Sequence, residues 1–583
     1  AFPEDAFGYS SLSASPVDGM VGLLFETGAT DCVGPYGLGS SGSCTIRFAL
    51  VPEDYPGRPY HKTDDEVARR YLLLDERVVA SVTGATLVLG TLEKEARNPL
   101  IREDRPWEKL INSGYPNIFF DQEDRVYKVW YGCQTECSKK STECPHRSYN
   151  YTPSAAESVG GGAQTGTCYA TSVDGLDFEK PALGAVAWRG SKANNLVMTT
   201  AADNGRGFMK DVHDKNASQR YKMFGQVVPF CLRNTVTGMC VREIPTNASA
   251  DTFVAEALGT SVSRDGINWA PNTSIARQVN AAADASNQLL WDSATSQYVG
   301  ITRIDLFSST GQFREAAVTS SPDFVTWSRA VEVLQRNATE SGGAHPRQEN
   351  SYIVFRPAGT DVWLALVTFS ETPKVTWGRF VTELAWSSDL LSWHRVRPGT
   401  PFIPQDILNT TGAWDAFMTL AAAAPFVDPT AEERVRVYYV GTNSPWKSRR
   451  DNSIGLGYLQ RDSWAGFSAD ACSPQPSRAG ACVGVVRTNP LAARRLELRL
   501  TAKVDAGGYV EVTAQGPTDK GAASWIHSVR INQTVTDSAV AWTTTLGGSS
   551  SVPASTRLPI IWQGQQLVLS FSFVHATLFG FSM

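Results

Sequence analysis

The stretch Ile-Asn-Ser-Gly-Tyr-Pro-Asn-Ile-Phe-Phe-Asp at 111–121 joins polar side chains to the start of an apolar run. The Gly-Tyr-Pro segment is typical of a turn, and the residues that follow are typical of a buried strand. Asn112, Tyr115 and Asn117 therefore lie where a loop enters a strand, and they offer two amides and a phenol. Such groups bind polar ligands by hydrogen bonding and ring stacking, whereas acid–base catalysis usually needs a titrating partner. Whether the chain is an enzyme depends on which side chains meet these three.

The ten cysteines are the second group of residues that could do chemistry. An even number with local spacing is typical of disulfides formed in an oxidising compartment. A zinc site within the cluster is the alternative, but the few histidines and the absence of a Cys-x-x-Cys pair disfavour it, so we expect no metal and no cofactor. The disulfide candidates are Cys32 with Cys44, Cys231 with Cys240, Cys472 with Cys482, and a cluster of Cys133, Cys137, Cys144 and Cys168 whose pairing stays open.

Seven Asn-x-Ser/Thr sequons agree with the cysteines. Together the two features predict a glycoprotein that is secreted or lies on the extracellular surface. The candidate acceptors are Asn150, Asn216, Asn247, Asn272, Asn337, Asn409 and Asn532.

Composition restricts the possible partners. The net charge of −5 is spread without runs of like charge, so we expect no nucleic acid and no anionic membrane surface as partner. No uninterrupted apolar stretch of about 20 residues exists, so we expect no transmembrane segment. Neutral or cationic ligands remain open, and a protein partner is possible.

The elements that must position these residues are predominantly strands. Short alternating or aromatic-rich runs such as RVYKVWYGC, QRYKMFGQVV and DVWLALVTF are flanked by Gly, Pro, Asp or Asn, while helical periodicity is scarce. This pattern predicts an all-β protein.

A Ser-x-Asp-x-x-x-aromatic pattern recurs in four segments, SVDGLDF, SRDGINW, SPDFVTW and SSDLLSW. Each follows a short strand, so we interpret the pattern as an Asp-stabilised turn whose aromatic residue returns to the core. We therefore assign Asp174, Asp265, Asp323 and Asp389 to structure. Repeats at this long spacing favour propeller blades, and ordinary hairpin turns of a sandwich are the alternative.

Changes in composition and in strand pattern divide the chain into three parts. Residues 1–70 form a Gly/Ser/Pro-rich extension with one or two strands and a disulfide loop, and 71–465 carry the repeats. Residues 466–583 show clear alternation and predict an antiparallel β-sandwich. The GLGSSG segment at 37–42 matches a dinucleotide fingerprint, but a strand rather than a helix follows it, so we interpret it as a loop.

Several motifs, taken in order, resemble a known family. RYLLLDERVV, NPLIREDRPWE, YPNIFFD with YKVWYGC, CYATSVDGLDFEKP and GAWDAF occur in the order found in secreted proteins related to glycoside hydrolase family 32. The resemblance covers roughly residues 70–583. It implies a five-bladed β-propeller followed by a C-terminal antiparallel β-sandwich, with a funnel-shaped site where the innermost strands converge.

The resemblance also implies where catalytic acids should lie, and the chain departs from the pattern. Tyr115 occupies the place of the nucleophilic Asp, so the carboxylate is missing there. The stabilising Asp falls on Asp211, between Lys210 and Val212, and the acid/base Glu falls near Asp284. Sialidases use a Tyr nucleophile, but the Arg cluster and base of that mechanism have no evident counterpart here.

The candidate site residues form two groups, possible catalytic acids and residues that could bind substrate. We predict Asp211, Asp284 and Asp415 as catalytic candidates, each with a turn-capping or loop-stabilising alternative. Glu383 is a further acid, although it could point into a blade. The candidates for substrate binding are Tyr115, Asn117, Asn287, His345, Arg347, Glu349 and Trp414.

Two functional classes follow. The first is a glycosidase in which Asp211 and Asp284, or Asp415, divide the general acid and base work, and fructosidase activity is not expected. The second is a non-catalytic protein that binds glycans or other proteins and has lost its nucleophile. The sequence leans slightly to the first class, although fold alone cannot arbitrate.

Overall fold

The computed structural model is built from β-strands, with short 3-10 turns at Ala217–Gln219 and Ile560–Trp562. It describes residues 69–111, 115–136, 164–200, 205–234, 240–241, 253–270, 274–275, 286–308, 311–334, 348–370, 379–405, 413–445, 451–469, 483–517, 523–543 and 555–583, and three N-terminal strands. Those strands, β1 (Ser11–Ala14), β2 (Met20–Thr27) and β3 (Thr45–Pro52), form one antiparallel sheet. No helix in the described part is long and apolar enough to cross a membrane.

The first three blades are antiparallel meanders, each built from strands adjacent in sequence. Blade 1 contains β8 (Asn117–Asp121), β9 (Val126–Glu136), β10 (Gln164–Ser172) and β11 (Leu196–Thr200). Blade 2 contains β12 (Gly207–Lys210), β13 (Tyr221–Asn234), β14 (Cys240–Val241), β15 (Phe253–Ser263) and β16 (Ser274–Ile275). Blade 3 contains β17 (Gln288–Asp292), β18 (Gln297–Ser308), β19 (Gly311–Ser321) and β20 (Val331–Val333).

The last two blades follow the same plan, except that a parallel pair between Phe380 and Met418 joins them into one sheet and that the innermost strand of blade 5 is divided. Blade 4 contains β21 (Gln348–Phe355), β22 (Trp363–Ser370), β23 (Phe380–Ser387) and β24 (Trp393–Val396). In blade 5 the innermost strand is split into β25 (Met418–Ala421) and β26 (Phe426–Asp428), which both pair with β27 (Ala431–Thr442), and β28 (Asn452–Gln460) follows. The outermost strand, β7 (Glu93–Lys94), comes from before blade 1 and pairs with β28. A strand from an earlier segment of the chain therefore completes the last blade.

Five apolar cores join the blades into a ring. Blades 1 and 2 share a core around Trp130, blades 2 and 3 one around Phe224, and blades 3 and 4 one around Val354. Blades 4 and 5 share a fourth core, and a fifth joins Val440 of blade 5 to Val129 of blade 1. Because the last core returns to the first blade, the sheets are arranged radially, and the five-bladed propeller is confirmed.

In blades 1 to 4 each Ser-x-Asp turn follows a strand and precedes the last strand of its blade, and its Asp stabilises the turn as predicted. In blade 2 the Asp265 carboxylate accepts hydrogen bonds from the backbone N–H groups of Ile267 and Asn268 at 2.8 and 2.7 Å. Asp174, Asp323 and Asp389 repeat this geometry. The structural assignment of these four acids is confirmed.

The C-terminal sandwich is built on two long strands. These are β32 (Arg499–Pro517) and β35 (Gln566–Ser582), whose alternate residues are buried in one core with Trp542 and Trp562. The remaining strands are β29 (Ala465–Ser468), β30 (Gly484–Thr488), β31 (Leu491–Ala492), β33 (Ala523–His527) and β34 (Val535–Ala539). The sandwich is antiparallel throughout, in agreement with the prediction.

The boundary at residue 71 differs from the prediction. β4 (Arg70–Leu72), β5 (Val79–Thr83) and β6 (Thr86–Leu89) pair with β35, β30 and β29 respectively, so this segment belongs to the sandwich sheet. The chain thus enters the sandwich, builds the propeller and returns to the sandwich. Pairing between segments this far apart in sequence leaves no local periodicity to detect.

Candidate functional site

The innermost strands of all five blades line one cavity of about 860 Å³, which we call the central well. Its wall includes Asn117 to Asp121 of β8, Phe208 to Lys210 of β12, Gln288 and Leu289 of β17, Ile353 of β21 and the Ala421–Ala424 run of blade 5. The alanines leave space where larger side chains would fill the axis. The well is therefore a consequence of the ring rather than of any single loop.

Tyr115 lies at the rim of the central well, beside the first residues of β8. Its backbone has a φ of 33°, an uncommon value for a residue with a side chain. A Cβ on Gly205 would lie 2.8 Å from the Tyr115 ring and 2.5 Å from the backbone nitrogen of Ser286. Glycine at 205, itself at a φ of +78°, thus allows blade 2 to approach the tyrosine.

The amides at the well connect neighbouring blades. Asn117 donates to the Arg206 carbonyl at 2.7 Å and accepts from the Phe208 N–H at 2.9 Å. Asn287 donates to the Gly205 carbonyl at 3.0 Å and accepts from the Thr302 hydroxyl at 2.8 Å. Both residues use the two ends of their amides within the protein, so the structure gives them a positioning role in the wall.

Gln288 makes the same connection one blade further on. Its amide nitrogen donates to the Val354 carbonyl at 2.7 Å, and its amide oxygen accepts from the Val354 N–H at 2.8 Å. This residue was not among the sequence candidates. A glutamine at the start of an innermost strand, one position after Asn287, is the signal that could have found it.

Asp211 lies at the end of β12, not at its start, and its side chain is fully buried. One carboxylate oxygen accepts from the backbone N–H groups of His213 and Asp214 at 2.9 and 3.2 Å. The other accepts from the Tyr298 hydroxyl at 2.5 Å and lies 3.2 Å from the Lys222 ammonium. These contacts correspond to the turn-capping alternative and leave Asp211 away from the lining of the well.

Three other acids occupy the equivalent position in their blades. Asp121, Asp292 and Asp428 each end an innermost strand and accept from the backbone N–H groups of the turn that follows. This recurrence, visible in NIFFD, GFMKD, QLLWD and PFVD, is a second repeat that sequence reasoning missed. It explains Asp211 without any catalytic function.

Asp121 and Asp428 are the acids of this group that reach the wall of the central well, and Asp121 has the more strongly altered pKa. Burial raises its pKa, but hydrogen bonds from the Lys128 and Lys210 ammonium groups, both 2.7 Å away, lower it well below the usual range. The carboxylate stays ionised and paired with two cations. It is therefore poorly suited to donate a proton as a general acid.

Asp415 and Trp414 precede β25 but turn into blade 5. The fully buried Asp415 carboxylate accepts from the Tyr439 hydroxyl at 2.8 Å and lies 2.7 Å from the Lys94 ammonium of β7. The Trp414 indole packs on Gly441 and Gly455 of the same blade. Glu383 is also buried within its blade and accepts from Arg395 at 2.6 Å. None of these three side chains is among those that line the central well.

The structure describes the remaining candidate residues only in part. Asn112, Asp284, His345 and Arg347 lie outside the described residues, and Glu349 is placed on β21 without a described side chain. The cluster pairing that the sequence left open is resolved for Cys133 and Cys168, which form a disulfide across β9 and β10. Cys231 and Cys240 lie on the paired strands β13 and β14, with undescribed side chains. Cys32, Cys44, Cys137, Cys144, Cys472 and Cys482 lie outside the described residues.

Of the sequons, Asn216 and Asn532 are on the described surface, and both are exposed. Asn150, Asn247, Asn272, Asn337 and Asn409 lie outside the described residues. Within the described residues, no group of three or more His, Cys, Asp or Glu side chains is arranged to hold a metal ion.

Comparisons with known proteins give structural neighbours but no sequence relatives. No protein-family model matches the chain, and no curated protein matches it. An N-acetylgalactosamine deacetylase from F. plautii is 12% identical over 67% of this chain and 100% of its own, with a TM-score of 0.37. The β-1,2-mannobiose phosphorylase of Listeria innocua is 11% identical over 64% of this chain and 97% of its own, with a TM-score of 0.36.

A Bombyx mori β-fructofuranosidase of glycoside hydrolase family 32 spans more of the molecule. It is 10% identical over 83% of this chain and 94% of its own, with a TM-score of 0.35. At such identities and scores the fold assignment rests on the sheets and cores of this chain itself. They define a propeller–sandwich protein with one central well.

Proposed function

We propose that this chain is a glycoside hydrolase-like protein that binds a carbohydrate in its central well. The supporting observation is that the innermost strands of all five blades line one cavity of mixed polarity. Tyr115 and Phe119 supply ring surface, and Lys210 and Gln122 supply hydrogen-bonding groups. Concave sites of this kind, with ring faces for sugar C–H groups and polar groups for hydroxyls, suit an oligosaccharide.

Binding without hydrolysis is the better supported form of this function. Hydrolysis by a pair of carboxylates needs one of them to carry a proton while the other is ionised. Three of the four described acids at the wall of the well, Asp121, Glu123 and Asp428, are instead held by cations. Asp121 contacts Lys128 and Lys210, and Asp428 lies 2.8 Å from Arg434 and 3.0 Å from Arg436.

Hydrolysis is the second candidate, with Asp284 and Glu349 as its acids. Glu349 lies on β21, the innermost strand of blade 4. The innermost strands are those that line the central well. We further propose that the protein is a secreted or cell-surface glycoprotein. The exposure of Asn216 and Asn532 is compatible with modification at both sites.

The decisive experiment combines a glycan array with a turnover assay on the same oligosaccharides. We expect saturable binding of at least one neutral glycan and no release of reducing sugar. Turnover that Asp284→Asn and Glu349→Gln each abolish, with unchanged melting temperature, would establish the hydrolase instead. No binding to any glycan would contradict the proposal.

A further inference from the structure

A second cavity, of about 630 Å³, lies between the propeller and the sandwich. Its walls come from the ends of β17 and β21, the loop 356–361 of blade 4, and the segments that carry Arg69, Arg77 and Arg494. The Arg70 N–H donates to the Gly359 carbonyl at 2.8 Å, so this loop is fixed to the sandwich. We call the cavity the arginine cleft, after Arg69, Arg77, Arg356 and Arg494.

Positive charge dominates the lining of the arginine cleft. Four guanidinium groups face two lining carboxylates, those of Asp292 and Asp361. A third carboxylate, Asp75, lies beneath the cleft and takes two hydrogen bonds from Arg77, at 2.9 and 2.7 Å. Asp389 also acts on Arg77 from outside the lining, so the surplus of guanidinium groups holds for the lining itself, which favours an anion over a neutral ligand.

Aromatic rings hold three of the guanidinium groups in place. The Arg356 guanidinium lies 4.0 Å from the centroid of the Trp363 ring, and its Nη1 is 3.3 Å from Asp292. Arg69 lies over Tyr71 at 5.3 Å and Arg77 over Trp386 at 6.0 Å. A stacked guanidinium loses less freedom when it binds, so the cleft is prepared for a planar or tetrahedral oxyanion.

The positive field extends to Arg494 on the sandwich side. Burial raises the pKa of the Tyr71 phenol, and the charges of Arg69 and Arg494 both lower it. The Asp361 carboxylate raises it, so one phenol senses two guanidinium groups and one lining carboxylate of the cleft.

The arginine cleft adjoins the central well. Gln288, Leu289, Ala424 and Pro425 line both cavities. The shared residues make the two cavities neighbours, and this proximity connects the charge of the cleft with the ligand class of the well.

We propose that the arginine cleft is a second binding site, which takes the carboxylate or sulfate group of an acidic oligosaccharide. The choice of a sugar rests on the proposed function of the central well, whereas the binding of an oxyanion does not. Arg356 and Arg494 are the residues that determine this specificity, because they approach the cleft from the propeller and from the sandwich.

The test is a titration with three probes: a trisaccharide of galacturonic acid, its neutral galactose counterpart, and inorganic sulfate. Charge-assisted hydrogen bonds are among the stronger contacts that a protein makes. We therefore expect Arg356→Gln and Arg494→Gln each to weaken binding of the acidic trisaccharide and of sulfate about tenfold. Arg356→Lys should give an intermediate loss because it keeps the charge but not the forked geometry.

Arg530→Gln is the matched control. This arginine is on the sandwich surface, its side chain is 60% exposed, and its removal changes the net charge by the same amount. Equal weakening by all three glutamine variants, or none by Arg356→Gln and Arg494→Gln, would overturn the proposal. Melting temperatures identify any variant that loses its fold, and Arg494→Gln leaves the Arg356–Trp363 stack intact.

The two proposals fail differently. Binding of sulfate and the acidic trisaccharide without binding of the neutral one supports the arginine cleft and argues against a neutral ligand in the well. Binding of the neutral trisaccharide alone, insensitive to either arginine, contradicts the cleft and supports the well.

Discussion

The hydroxyl of Tyr298 donates a hydrogen bond of 2.5 Å to the carboxylate of Asp211. Tyr298 belongs to blade 3 and Asp211 ends the innermost strand of blade 2, so this bond links two blades. Burial and the neighbouring negative charge of Asp211 raise the pKa of Tyr298, which therefore stays a neutral donor at physiological pH. The acid that sequence reasoning favoured for catalysis is thus part of the connection between two sheets.

We predict that Asp211→Asn destabilises the protein and leaves glycan binding unchanged. The substitution removes one of the two carboxylates that lie beside Lys222, whose side chain is only 2% exposed. Asp214 still contacts Lys222 at 2.5 Å, so the expected cost is that of one hydrogen bond to a charged group, about 2 kcal/mol. The melting temperature should fall by several degrees. Tyr298→Phe, which removes the hydroxyl but keeps the ion pair, should cost about 1 kcal/mol. An unchanged melting temperature with loss of glycan binding would contradict this prediction and show that Asp211 contributes to ligand binding.

The position of Asp211 at the end of its strand has a geometric consequence. The resemblance to a motif located the correct strand, but a four-residue strand such as β12 spans about 13 Å. Its two ends therefore lie at opposite faces of the propeller. Only comparison with Asp121, Asp292 and Asp428 shows which end carries the acid.

Local patterns predicted what depends on local contacts. The strand content and the turns of Asp174, Asp265, Asp323 and Asp389 followed from alternation and from a side chain that bonds its own turn. By contrast, the pairing of β5 with β30 and the amide bridge from Gln288 to Val354 join distant segments. No spacing in the sequence encodes these contacts, so the structure was needed to see them.

We predict that Gln288→Met loosens the contact between blades 3 and 4. Methionine conserves the length of the side chain, but it leaves the N–H and the carbonyl of Val354 without the amide that now bonds both. Unsatisfied buried backbone groups cost about 1–3 kcal/mol each. We expect a melting temperature several degrees lower in differential scanning calorimetry. Gln122→Met, at an exposed position of the same well, is the control and should change it little.

We predict that acid weakens the propeller through its turn aspartates. Partial burial raises the pKa of Asp265 and Asp323, but bonds from backbone N–H groups outweigh it and lower both below the ordinary value. A lowered folded-state pKa gives stability that is complete above the unfolded value of about 4 and is lost as the pH falls through the folded value. The melting temperature should therefore decline below about pH 4.

The double variant Asp265→Asn and Asp323→Asn tests this dependence. It should melt lower than the wild type at pH 7 and lose less as the pH falls, because two of the titrating groups are gone. Asp177→Asn is the control, since the side chain of Asp177 is 83% exposed. Parallel pH profiles for the wild type and the double variant would contradict the assignment.

We predict that Tyr115 supplies ring surface to a glycan in the central well. A ring contact contributes about 1 kcal/mol, so Tyr115→Ala should weaken binding of a neutral oligosaccharide five- to tenfold, and Tyr115→Phe should weaken it much less. Calorimetric titration measures both values.

Gly205→Ala acts on the same ring, because its Cβ would lie 2.8 Å from the tyrosine at a φ of +78° that disfavours alanine. It should lower affinity and melting temperature together, whereas Tyr115→Ala should lower affinity alone. If Tyr115→Ala binds as tightly as the wild type, the ligand does not contact this rim, and the opposite end of the well, near Glu432 and Arg461, becomes the place to test.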